Sequence, residues 1–139
     1  MRQTSALIQA SLALLFLFVV GGFTIPGVPV GVQDATYNLA RGVVLAFAGW
    51  KIGSLTPCRF QTILIFALVL SFFDHVFLKG GLSLVDGIIK GGSEYDAAID
   101  VFVGVLVSYF LYAPIAMLMV YIGCKLVNRQ YTQSSKESG

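Results

Sequence analysis

The chain has 139 residues, of which 57% are hydrophobic and 12% charged, with a formal net charge of +2. Soluble domains carry about 25% charged residues, so this composition indicates a membrane protein. The small charge, with no basic stripe interleaved with aromatics, argues against nucleic acid as a partner. Spans of about 20 residues leave no room for a separate catalytic domain.

Residues 6–23 form the first expected span, broken only by Gln9 and Ser11. Arg2 supplies a short basic leader, but the apolar stretch is long and TIPGVPVG lacks a small-x-small site. The segment therefore reads as a retained span, not a cleaved signal peptide. Pro26, Gly27, Pro29 and Gly31 then mark a turn over 24–32. Its other residues are apolar, which places it at a membrane surface.

The second span is expected over 35–55. Only Gly42–Trp50 is uninterrupted between Arg41 and Lys51, about 13 Å of helix against a hydrocarbon core about 30 Å thick. Gly42, Ala46, Gly49 and Gly53 share one face. Small residues on one face let helices approach closely in a membrane, which favours spanning over lying in the interface. The third span is expected over 57–78, with Thr56 as N-cap and Pro57 in the first turn. Lys79 and a positive-φ Gly80 are expected to end it.

LSLVDGIIK, residues 82–90, sets Leu84, Val85, Ile88 and Ile89 on one helical face. It reads as a short amphipathic helix lying flat on the membrane. The fourth span, 94–127, is longer than a bilayer requires, and Pro114 is expected to kink it. Residues 129–139 form a polar tail, expected to be disordered. The fold class is thus an all-α integral membrane protein. Its single domain, 1–128, has four transmembrane helices and an interfacial helix between spans three and four.

Threading follows from the basic residues. Arg2, Lys51, Arg59, Lys125, Arg129 and Lys136 fall on one side; Lys79 and Lys90, with Arg41 near them, fall on the other. This bias puts both termini in the cytoplasm, in a cytoplasmic (inner) membrane. Cys58 and Cys124 then lie at cytoplasmic helix ends, where thiols are expected to stay reduced.

An ionisable residue in a bilayer costs about 2.5–3.5 kcal/mol on insertion scales, so each one within a span is a candidate functional residue. Arg41, Asp74, His75 and Asp100 are expected at similar depth. Ser71, Asp74 and His75 share a face of span three, and Asp100, Gly104, Ser108 and Tyr112 make a polar stripe on span four. The candidate intramembrane cluster is therefore Arg41, Asp74, His75, Asp100, Ser71 and Ser108. A carboxylate beside an imidazole can exchange protons near neutral pH. The same residues also suit a structural ion pair that fixes helix packing.

No HExxH, GK[ST] or G-x-S-x-G motif occurs, so no catalytic residue is assigned. One histidine and two cysteines without CxxC spacing define no metal site, and no cofactor is implied. The sequence does not disclose what the protein does. Its leading reading is a non-enzymatic membrane subunit or accessory protein that packs, through the Gly42/Ala46/Gly49/Gly53 face, with itself or a membrane-protein partner in the lipid bilayer. The alternative is a small oligomeric transport or permeation protein built on the Asp/His/Arg cluster.

Overall fold

A computed structural model describes residues 2–23 and 25–137, the last seven by backbone alone. Met1, Thr24 in the proline turn and residues 138–139 of the expected tail lie outside the described residues. The helices are α1 (Arg2–Gly21), α2 (Val30–Leu55), α3 (Phe60–Ser71), a π-helical segment (Phe72–Gly81), α4 (Leu82–Lys90) and α5 (Ser93–Glu137). There is no strand among the described residues. Three runs are long and apolar enough to cross a membrane: Arg2–Gly21, Phe60–Lys90 and Ser93–Gln130. Helix α2 is not one of them, although its length of about 39 Å would suffice; Asp34, Arg41 and Lys51 dilute its apolar character.

Long α5 is the spine. It packs against α2, α3, the π segment and α4, while α1 closes the other side of α2. Leu14, Leu45, Ile52, Leu70 and Val120 fill the core between these helices. Helix α1 contributes a narrow stripe, Ala6, Ala10 and Leu14, and exposes Ile8, Leu12 and Phe16.

The α2–α5 crossing is backbone on backbone. A Cβ at Gly49 would fall on the Val120 carbonyl, and one at Gly123 on the Ala46 carbonyl. Farther along, a Cβ at Gly53 would meet Cys124 at 3.0 Å. The Gly42/Ala46/Gly49/Gly53 face therefore lies against α5 of the same chain.

Several expectations fail at helix ends. Helix α1 begins already at Arg2, and α2 at Val30, directly after Pro29. Thr56 does not cap span three. It ends α2 in an extended conformation, its N–H donating to the Ile52 carbonyl, and α3 starts only at Phe60. Gly80 does not stop the helix. Gly81 and Leu82 keep right-handed helical angles, so α3, the π segment and α4 form one continuous run. The close packing of Gly80 on Phe102 and Val105 explains that glycine. The reversal comes instead at Gly91 and Gly92, whose φ values of 70° and 59° suit residues without a Cβ.

Consequently 82–90 is not a separate helix but the end of the run that starts at Phe60. It keeps its amphipathic pattern but packs on the start of α5 and touches neither α1 nor α2. Gly87 sits against Ala98 and the Glu94 carbonyl. The hairpin of α4 and early α5 projects beyond the α1–α2 turn. At the other end, the expected disordered tail continues α5 as helix to Glu137. A helix also runs through Pro114, leaving the Phe110 carbonyl without its usual donor.

The two cysteines are not free thiols. Cys58 and Cys124 form a disulfide with Cα atoms 6.0 Å apart. Residues 57–59 are not helical; the Arg59 N–H donates to the Pro57 carbonyl in a tight turn through Cys58, which brings Cys58 to the Cys124 side chain.

Candidate functional site

Arg41 and Asp74 meet because both are about 14 residues from the α2–α3 connection, a depth of about 21 Å. Both side chains are buried, at 3% and 1% exposure. Arg41 Nε donates to Asp74 Oδ2 at 2.6 Å, and Nη2 donates to the same oxygen. Nη1 donates to Asn38 Oδ1 at 3.2 Å. The guanidinium carbon also lies 4.7 Å from the Tyr112 ring centre and 5.5 Å from that of Tyr37. A buried guanidinium thus has hydrogen-bond and π partners on several sides, which offsets its desolvation.

Because both guanidinium donors use Oδ2, Asp74 Oδ1 is buried with no partner among the described residues. So is the Tyr37 hydroxyl. One is an acceptor and the other a donor, and both belong to residues that touch Arg41. Unpaired buried polar atoms are few in folded proteins and cluster at sites of ligands, water or function.

His75 extends the network to α5. Its Nε2 is 2.7 Å from Ser108 Oγ, and its ring stacks on Tyr112 with centres 5.3 Å apart. The Ser108 hydroxyl proton is used on the Val105 carbonyl at 2.9 Å. Ser108 Oγ therefore accepts from His75 Nε2–H, which leaves Nδ1 as the acceptor, 3.4 Å from Arg41 Nη2. This network fits the neutral Nε2–H tautomer.

The π segment positions these groups. In an α-helix, neighbouring side chains diverge by about 100°. The wider π turn reduces that angle, so Asp74 and His75 both reach Arg41. The transition follows Ser71, whose hydroxyl donates back to the Ala67 carbonyl at 2.6 Å. Tyr109 from α5 donates to the Leu68 carbonyl at 3.2 Å. Both compete for acceptors of the α-helical ladder at the point where it widens.

The structure thus brings together Arg41, Asp74, His75 and Ser108. Ser71 is buried on the same face but bonds within its own helix. Asp100 is not in the cluster; it is exposed on α5. The reason is the late turn. With the chain reversing at Gly91 and Gly92, the first turns of α5 pair with α4, and Ser108 and Tyr112 reach the level of His75 instead. Gly104, in the same expected stripe, faces open space. Tyr37 and Asn38 are additional members. Their signal was their position four and three residues before Arg41, on the same helical face.

Beside the cluster, a cavity of about 630 Å³ opens between the end of α1, the proline turn, the start of α2 and Lys79. Tyr37 lines it and so connects it to Arg41. No group of three or more His, Cys, Asp or Glu among the described residues could hold a metal ion. Searches against family models, curated proteins and solved structures find no match to this chain.

Proposed function

We propose that the protein is a small membrane-embedded transport or permeation protein whose working group is the Arg41–Asp74–His75 cluster. The observation that carries this reading is a buried ion pair with one carboxylate oxygen unpartnered, joined through His75 to a hydrogen-bond chain ending on α5. Intramembrane ionisable residues of this kind mark proton and ion paths. Asp74 Oδ1 takes up the proton and Arg41 holds the carboxylate in place, while His75, facing Arg41 Nη2 through Nδ1 and donating to Ser108 through Nε2, fixes the guanidinium against α5. The packing-subunit reading loses its main support, because the small-residue face lies against α5 and is not free for a partner.

In this reading all four of α1, α2, the Phe60–Lys90 run and α5 traverse the bilayer as a four-helix bundle in one domain. Phe60 to Lys79 spans about 28 Å and Asp34 to Leu55 about 32 Å, each close to one hydrocarbon thickness. The α4–α5 hairpin, with Asp86, Glu94, Asp96 and Asp100, then lies outside the bilayer. The end bearing Lys51, Arg59, Lys125 and Arg129 faces the cytoplasm with both termini, in a cell membrane of inner-membrane type. A cytosolic disulfide does not persist, so the Cys58–Cys124 bridge belongs to the oxidised protein.

The test is proton flux in vesicles. Proteoliposomes containing the protein should dissipate an imposed pH gradient faster than empty vesicles. The R41Q/D74N double variant, which removes both charges together, should not. Equal rates for the two proteins would overturn the reading.

A further inference from the structure

We propose that the cavity between α1, α2 and Lys79 binds one phospholipid whose headgroup carries both a phosphate and a primary ammonium. Its volume of about 630 Å³ lies within the range of ligand pockets, roughly 300–1,000 Å³. Most of its wall is apolar, from Leu17, Phe18, Phe23, Ile25 and Val28. Such a wall suits acyl chain. The polar lining is confined to a few groups, chiefly Lys79, Asp34, Tyr37 and Gln33.

Gln33 is already committed. Its amide donates to the carbonyls of Ile25 at 3.1 Å and Val28 at 2.9 Å, folding the proline turn over the cavity. The other three have capacity left. Lys79 lies over the Tyr37 ring, 5.8 Å from its centre. Among the described residues it makes no ion pair, and neither does Asp34. The Tyr37 hydroxyl is buried and unpartnered. Two opposite charges thus border one apolar cavity without an ion-pair contact between them.

A zwitterionic headgroup satisfies both charges. Lys79 donates to phosphate oxygens, and Asp34 accepts from the ammonium. An anionic headgroup would leave Asp34 facing like charge. A quaternary ammonium could not donate a hydrogen bond to it. The depth also agrees. Lys79 and Asp34 both stand about 30 Å from the α2–α3 connection, where the proposed bundle meets the headgroups. This site goes beyond proton handling and stands without it.

The test is native mass spectrometry of the delipidated full chain in detergent. It is offered equimolar phosphatidylethanolamine, phosphatidylglycerol and phosphatidylcholine, and separately free phosphoethanolamine. Phosphatidylethanolamine should be retained about tenfold over phosphatidylglycerol, the scale of one charge-assisted hydrogen bond. Asp34→Asn should remove that preference, and Lys79→Gln should weaken retention of all three lipids, with helix content unchanged in both. Equal retention of the three lipids by the natural chain would overturn the proposal. So would undiminished selectivity in Asp34→Asn, or free phosphoethanolamine binding as well as the lipid. Selective retention without proton flux would leave this site standing and remove only the proton reading.

Discussion

Gly49→Ala should cost more stability than any other single added methyl on α2. At this site the added Cβ meets the Val120 backbone, not a side chain that can swing away. Gly123→Ala is its mirror, meeting the Ala46 carbonyl and the Trp50 amide nitrogen. Neither backbone can yield without separating the helices. Overpacking costs about 1–3 kcal/mol, and backbone contact puts these sites at the upper end. Alanine returns about 1 kcal/mol of helix propensity relative to glycine, so the net loss should be about 2 kcal/mol. Gly53→Ala, whose Cβ would lie 3.0 Å from Cys124 Sγ, should fall between these and neutral. Gly104→Ala, with nothing within 4 Å, should be neutral or stabilising. The assay is unfolding in mixed micelles with sodium dodecyl sulfate, followed by the fluorescence of Trp50, the single tryptophan, which lies at the crossing. Equal midpoints for Gly49→Ala and Gly104→Ala would refute the close backbone approach.

Four further outcomes follow from the same geometry. Closing a loop of 66 residues corresponds to about 4 kcal/mol in the chain-entropy model, so reduction should lower the unfolding midpoint, and an unchanged midpoint would mean the bridge bears no load. In growing cells, cytoplasmic threading gives two thiols that a maleimide tags once the chain is unfolded without reductant, whereas tagging that needs reductant would put that end outside. Gly87→Leu should speed hydrogen exchange over 82–100, because Gly87 abuts Ala98, yet leave proton flux unchanged; slower flux would tie the hairpin to the cluster. Asp100→Asn, at an exposed position, should stay within about 0.5 kcal/mol of the natural chain, while Ser108→Ala, which strands His75 Nε2–H, should cost about 1 kcal/mol; the reverse ranking would restore Asp100 to the site.

The helices and the proline turn are legible in the sequence because apolar runs and paired prolines act locally. Arg41 and Asp74 can be matched by counting residues from the α2–α3 connection, since rise per residue is fixed. Asp100 was misplaced by the same counting, because Lys79-Gly80 looks like a helix end. Only packing on Phe102 and Val105 shows that Gly80 is there for closeness. The π segment has no local signature in FFDHVFLKGG; it depends on Ser71 and Tyr109 drawing on carbonyls one turn earlier. The disulfide was missed because 66 residues separate its cysteines and the basic flanks pointed to a reducing compartment. Tyr37 belongs to no motif, and its one sequence signal is its spacing of four residues from Arg41.

The most direct measurement is a double-mutant cycle on Arg41 and Asp74, read as stability in lipid and as proton flux. Asp74→Asn or Arg41→Gln alone should each cost about 3–5 kcal/mol, since each leaves a bare buried charge. The double variant should lose much less than their sum, and should fold yet carry no protons. Losses that add to within about 0.5 kcal/mol would mean the two side chains do not meet, and a double variant with normal flux would mean that the pair only holds the helices together.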